Sequence, residues 1–160
     1  MNMQAKSLII SVLLIFVIGA WGVQSSLAQD KDDYKGWEFG SVYNKLYDPS
    51  EWDKLKGECL KFKKVIPLPG MAPGVALIMR DREGEVVTVH MGPEAYIEKQ
   101  NIGVRKGDKI TVKGVWVEIN DEDIFIGSKV KKGEYFEFKF RRTKDGKPYW
   151  SMTQEELATQ

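Results

Sequence analysis

Apolar and polar residues alternate in five short runs between Gly57 and Val130, and this alternation indicates a mainly β fold. The predicted strands are Gly57–Val65, Val75–Arg80, Glu85–Met91, Lys109–Glu118 and Asp123–Val130. A short helix is expected after the third strand, because Pro93 suits a first helical position and Ala95–Gln100 can continue from it. The predicted order is therefore three strands, one helix and two strands.

This order is typical of the OB-fold, a five-stranded barrel that binds its ligands on a strand face flanked by loops. Gly114 interrupts the fourth predicted strand, and a glycine inside a strand permits the bend or bulge that a closed barrel needs. We therefore expect a mainly β, five-stranded OB-fold-like barrel with one short helix after strand three.

Two extensions flank the expected barrel. A polar leader at 29–35 is followed by an aromatic arm, Gly36–Lys56, which has too many aromatic side chains for a free tail. On the other side, Glu134–Arg142 and Lys147–Met152 enclose a Lys-Asp-Gly turn and predict a C-terminal β-hairpin. The barrel with this hairpin is expected to span residues 57–152, and residues 153–160 are expected to fray.

The first 28 residues have the pattern of a signal peptide. Lys6 precedes an apolar run at 8–18, and the small residues Ser26 and Ala28 suit cleavage after Ala28. An uncleaved anchor is the alternative, but the run is shorter than the roughly 20 apolar residues of a spanning helix. We expect export to the periplasm, with membrane contact only through the uncleaved signal peptide.

The charge balance argues against a nucleic-acid-binding protein. The full chain has 24 Lys and Arg against 23 Asp and Glu. Cleavage would remove Lys6 and no acidic residue, so the mature chain would have 23 of each and be formally neutral. A protein that holds phosphate backbones normally carries a basic excess. Binding of single-stranded nucleic acid is therefore only a second alternative function.

Cys59 is the only cysteine, so the chain cannot form an internal disulfide. We expect it to be a small filler in strand one, on the face opposite Leu60 and Phe62, with intermolecular pairing as the alternative. The sequence also lacks a Gly-x-Ser-x-Gly motif and a phosphate-cradling glycine loop. These features predict a protein that is not an enzyme and has no cofactor.

The candidate binding surface is the outer face of strands two and three, with the Pro67–Gly74 loop and the Gly92–Tyr96 corner beside it. Its candidate ligand-binding residues are His90, Tyr96, Lys61, Lys63, Met71 and Arg80. His90 is the only histidine, and the alternative is that its ring simply bonds backbone at the strand-to-helix corner. The lysines could instead be ordinary solvated edge residues.

Methionines near His90 suggest a first alternative function, that of a metal or redox accessory protein. Thioether and imidazole groups together suit a soft ion such as Cu(I). Met79 and Met91, however, fall on core faces of their predicted strands, so packing explains them first. We expect no metal site.

Several segments of the chain resemble a domain shared with magnetosome proteins of the MamS/MamX type. They are YNKLYDP at 43–49, KGE at 56–58, PGMAPGV at 69–75, VHMGP at 89–93, KGD at 106–108 and DGKPYW at 145–150. The resemblance implies a periplasmic β-barrel and transfers no catalytic residue. Some magnetosome relatives carry haem-attachment motifs, which this sequence lacks. The predicted function is a non-catalytic periplasmic binding module for an unknown envelope ligand or protein partner.

Overall fold

The computed structural model describes residues 32–159, and the predicted signal peptide lies outside this range. Among these residues, no helix is long and apolar enough to span a bilayer. The strands are β1 (Asp53–Val65), β2 (Gly74–Asp81), β3 (Val86–Pro93), β4 (Lys109–Ile119), β5 (Glu122–Lys132) and β6 (Phe136–Lys139). The helices are α1 (Glu94–Ile97), α2 (Gln154–Ala158) and three 3-10 turns at Asn44–Leu46, Pro49–Glu51 and Tyr149–Ser151. The fold is therefore mainly β, as predicted.

One sheet contains all six strands, in the order β3-β2-β1-β4-β5-β6. Neighbours in this order run antiparallel. In addition, β3 pairs with β5 in parallel, through Val89 with Phe125 and His90 with Ile126. The pairings among β1 to β5 therefore form a closed cycle, in which each of these strands pairs with two others. β6 extends the sheet beyond β5.

A bulge in β1 changes which side chains reach the core. The pairing of β1 with β2 shifts register between Cys59 and Lys61. Cys59 and Phe62 consequently pair with Met79 and Leu77, which both belong to the inner core, so the two side chains share the inner face. The prediction that Cys59 lies on the face opposite Phe62 is wrong, because one extra residue in a strand reverses the side-chain alternation. The expected bulge at Gly114 is confirmed, since the β4–β5 register shifts between Lys113 and Gly114.

Two apolar cores lie on opposite faces of the sheet. The inner core contains inward side chains of β1 to β5 together with Ile97, Val104 and Phe140. The outer core forms where the arm packs against β4 and β5. Its buried members are Trp37, Tyr43, Tyr47, Met71, Ala72, Val115, Ile119, Ile124 and Ile126. The arm is thus an integral part of the packed structure, and its Trp37 indole donates to the Ala72 carbonyl oxygen at 2.8 Å.

The predicted C-terminal hairpin is wrong in its second strand. The turn exists, because the Arg142 amide donates to the Lys147 carbonyl, and Arg141 and Pro148 form an isolated bridge. Beyond the turn, Tyr149–Ser151 forms a 3-10 helix instead of continuing the ladder. Pro148 lacks the backbone N–H that a ladder residue donates, and this limits the pairing. The first strand of the predicted hairpin, Glu134–Arg142, is present in shorter form as β6, which pairs with β5.

The end of the chain also differs from the predicted frayed tail. Residues Gln154–Ala158 form α2, and Thr153 caps it by accepting a hydrogen bond from the Glu156 amide. The Glu156 side chain bonds back to the Thr153 amide, which completes a capping box. Lys147 also pairs with Glu156 at 2.5 Å and connects α2 to the preceding turn.

Gly92 allows an indole ring to lie directly against β3. A methyl group added at Gly92 would meet two ring carbons of Trp150 at 2.6 and 2.7 Å. Trp150 in turn donates from its indole nitrogen to the Trp37 carbonyl oxygen at 2.8 Å. The close approach therefore attaches the C-terminal segment to both the sheet and the arm.

We predict that Gly92→Ala lowers the free energy of unfolding by about 1–3 kcal/mol, because the added methyl group overlaps the Trp150 ring. In a Trp150→Ala background the same substitution should change that free energy by less than about 0.5 kcal/mol. Urea denaturation of the four proteins in this cycle measures both effects. An equal loss in the two backgrounds would contradict the assigned contact.

Candidate ligand-binding groove

The register of β1, β2 and β3 aligns two rows of side chains on the outer face of the sheet. The rows are Lys61–Ile78–Thr88 and Lys63–Ala76–His90. Directly opposed residues share a face, so the predicted site residues Lys61, Lys63 and His90 lie on the same surface. Arg80 is on this face as well, opposite Val86. The lysines and Arg80 are exposed, whereas Ala76 and His90 are buried.

A groove of about 340 Å³ opens at one end of this face. One wall is the end of β1 with the start of the following loop, residues 63–67, and the other is the β4–β5 turn. Thr88 and His90 of β3 lie between the two walls. The groove therefore joins two loops that are more than 50 residues apart in the sequence.

The β4–β5 turn gives the groove a tightly constrained wall. Asn120 and Asp121 have φ values of 53° and 61°, both in the left-handed region. Ile119 pairs directly with Glu122, so the turn contains only these two residues. Two consecutive left-handed residues are typical of a type I′ hairpin turn, and Asn and Asp tolerate this conformation better than most residues.

The groove combines apolar contact area with positive charge on one wall. Apolar side chains come from both walls, and Ile66 is 59% exposed at the rim. Lys63 and Lys64 are on the β1 wall, and Lys64 pairs with Glu94 at 2.6 Å. Glu122 supplies a negative charge on the opposite wall. This arrangement suits an extended ligand with apolar groups and a negative group directed toward Lys63.

His90 is an uncharged hydrogen-bonding group at the base of the groove. It is only 4% exposed, and its Nδ1 atom lies 3.1 Å from the Tyr43 hydroxyl of the arm. Burial, with a smaller contribution from the positive charge of Arg141, lowers the pKa of His90 to about 4. The ring is therefore neutral near pH 7 and can bond a ligand without carrying a charge.

The structure groups some of the predicted site residues and separates others. His90 and Lys63 line the groove, while Lys61 and Arg80 are farther along the same outer face. Met71 is buried in the outer core, under the arm. Tyr96 is half-buried, with its ring centroid 5.3 Å from that of Trp150. Met71 and Tyr96 therefore lie away from the groove, and a binding role for the others stays a prediction.

Sequence reasoning missed the second wall of the groove. Ile119, Asn120, Glu122 and Ile124 all line it. The available signal was the predicted strand order, because an OB-type barrel brings the loop after strand one close to the loop between strands four and five.

Met79 and Met91 do not face His90. Met79 and Met91 are packed in the inner core, whereas His90 lies on the outer face of the same sheet. In the described part of the chain, no group of three or more His, Cys, Asp or Glu side chains converges on one point. The groove thus offers hydrogen bonds, apolar area and charge.

Comparison with known proteins gives one family match. Residues 51–136 match the model of the MamS/MamX magnetosome protein family, a segment that contains β1 to β5 and all groove residues. A search of curated proteins found no match.

We predict that His90 makes folding stability depend on pH. A histidine with a folded pKa of about 4 and an unfolded pKa near 6.5 binds its proton more tightly when unfolded. Its contribution to stability is therefore complete above pH 7 and is lost as the pH falls from about 6.5 to 4. Between pH 7.5 and 4.5 this group alone should remove about 2–3 kcal/mol from the free energy of unfolding.

The test compares wild type with His90→Gln, whose amide can still bond Tyr43 but does not titrate. Urea denaturation at pH 7.5 and 4.5 gives the pH-dependent loss for each protein. The variant should lose less stability, by the amount attributed to His90, because all carboxyl groups are common to both proteins. Identical losses would show that His90 does not have the lowered pKa.

Proposed function

The chain belongs to the MamS/MamX magnetosome protein family, and we propose that it is a non-catalytic periplasmic module that binds an envelope ligand or a protein partner. The observation that carries this proposal is the groove between the loop after β1 and the β4–β5 turn. It offers exposed apolar area, lysine charge and a neutral histidine in one concave surface, which is the usual composition of a binding site.

The proposal includes the OB-fold barrel. The pairings β1–β2, β2–β3, β3–β5, β5–β4 and β4–β1 support it, because they connect the five strands in a closed cycle. In this interpretation β6 is an additional strand on the barrel edge, and α1 follows strand three as OB-fold topology requires. The groove then occupies the position where such barrels bind ligands, between two loops and across the third strand.

The chemistry of the most reactive side chains supports a role without catalysis. Cys59 is buried in the inner core, and burial raises the pKa of its thiol, which disfavours the nucleophilic thiolate. His90 bonds Tyr43, and its low pKa makes it a weak base near neutral pH. Neither residue has the activated state that acid–base or covalent catalysis needs.

The proposal is tested by capture of ligands from a periplasmic extract with immobilised protein. Bound polypeptides are identified by mass spectrometry, and small ligands by native mass spectrometry of the eluted complex. Ile66→Glu places a charge on the exposed apolar rim, so it should lower retention of a groove ligand by about tenfold or more. Lys63→Glu should have a similar effect if the ligand is anionic.

Val42→Glu is the matched control, because Val42 is 75% exposed on the arm and does not line the groove. It should retain ligands as wild type does. If Ile66→Glu and Val42→Glu retain the same ligands in the same amounts, the groove is not the binding site. A copper ion that is retained and then lost in His90→Gln would support the metal accessory function instead.

The periplasmic location rests on the first 28 residues and has its own test. Expression of the full chain in a Gram-negative host should yield a periplasmic product whose mass corresponds to a start at Gln29. Intact mass spectrometry of the osmotic-shock fraction measures this. A full-length, membrane-associated product would instead indicate an anchor, and a full-length product in the cytoplasm would contradict export.

A further inference from the structure

Arg141 is a buried arginine in a cage of aromatic rings. It is 1% exposed, and its backbone amide donates to the Ser128 carbonyl oxygen of β5 at 3.0 Å. Its guanidinium carbon lies 5.1 Å from the Trp150 ring centroid, 5.8 Å from that of Tyr43 and 5.9 Å from that of Tyr47. Two of these rings come from the arm and one from the C-terminal segment.

The cage surrounds the charge but gives the hydrogen-bond donors of Arg141 no acceptor in good geometry, although the Tyr43 hydroxyl is close enough to interact with the guanidinium. Within residues 32–159, neither Nε, Nη1 nor Nη2 has a hydrogen-bond partner. The Tyr47 hydroxyl is the other buried side-chain group in that range without one. A buried donor without an acceptor is costly, and more so when it is charged. Aromatic faces attract the cation, but they do not supply directed acceptors to all of its N–H groups.

The positive charge is also uncompensated by the side chains near it. None of the ion pairs formed in the described region includes Arg141. Burial raises the pKa of Tyr43, so its hydroxyl stays protonated. The neighbouring His90 is neutral as well. Arginine remains protonated in proteins, and a buried charge without a counter-ion is strongly unfavourable.

We propose that Arg141 and the Tyr47 hydroxyl bind a small monovalent anion, either a halide or a planar oxyanion such as nitrate or bicarbonate. The guanidinium would donate through its N–H fork and the Tyr47 hydroxyl would donate one further hydrogen bond. The aromatic cage limits the ligand to a few atoms, because Arg141 is almost completely enclosed. The anion stabilises the attachment of the arm to the rest of the structure. Tyr43 and Tyr47 belong to the arm, Trp150 belongs to the C-terminal segment, and the Arg141 backbone is bonded to Ser128 of β5.

The experiment measures the melting temperature of the mature protein at constant ionic strength while chloride replaces gluconate, which is too large for the cage. A parallel series uses nitrate. Wild type should gain about 5 °C or more between 1 and 500 mM of the bound anion, because a ligand that binds only the folded state stabilises it. Arg141→Met should lose this dependence, whereas Arg82→Met removes an exposed guanidinium and should respond as wild type does.

Crystals of wild type soaked in bromide give a second readout that does not require the Arg141→Met variant to fold. Anomalous scattering should place a bromide within hydrogen-bonding distance of the guanidinium. If the melting temperature in gluconate equals that in chloride and nitrate, the proposal is wrong. It is equally wrong if Arg141→Met keeps the full response, or if the protein responds to chloride but the bromide map shows only water beside Arg141. A response to nitrate without one to chloride would assign the site to planar oxyanions.

Discussion

The packing of the aromatic arm against the outer face of the sheet is the contact on which both the groove and the cage around Arg141 depend. Trp37 and Tyr43 pack edge to face, with ring centroids 4.9 Å apart, and cover apolar residues of β4 and β5. Without the arm, that face would expose a contiguous apolar patch. The same packing places the Tyr43 hydroxyl against His90 and completes the aromatic cage around Arg141.

Burial by the arm decides the charge states at both sites. On an open sheet surface, His90 would be solvated and would titrate near its ordinary pKa. Under Tyr43 and near Arg141, its neutral form is favoured. Arg141 experiences the opposite constraint, because arginine cannot lose its proton to escape the cost of burial. One group therefore adapts by becoming neutral, and the other needs a counter-ion.

The amino-acid sequence predicted the parts of the structure that local patterns determine. Strands follow from alternation and turns from Gly, Asn and Asp, so the order of β1 to β5 and α1 was foreseen. The bulge at Cys59 was not, because no glycine marks it and the shift arises from pairing with β2. The failed hairpin strand at 147–152 has a tertiary cause, since Trp150 packs on Gly92 and bonds Trp37 instead of extending a ladder.

The sites were less predictable because they combine residues that are distant in the sequence. His90 and Lys63 could be predicted as site residues, because one is the single histidine and the other is a lysine near the loop after strand one. The second wall of the groove, the β4–β5 turn, could be predicted only from the way the strands pair. Arg141 falls within the predicted hairpin strand Glu134–Arg142. Only the approach of the arm and of Trp150 makes it a buried charge, and nothing in the local sequence indicates that approach.

Tyr43 connects the two sites physically, and this has a thermodynamic consequence. Its hydroxyl bonds His90 at the base of the groove, and its ring faces Arg141. A groove ligand that bonds His90 must accommodate or displace Tyr43, and a displaced Tyr43 would open the cage around the anion. Coupling between two sites is reciprocal, so an anion that holds Tyr43 in place would weaken such a ligand by the factor with which that ligand weakens the anion. A ligand that binds the groove and leaves the His90–Tyr43 bond intact would have no such coupling. Whether the two sites are coupled therefore depends on what happens at that one hydrogen bond.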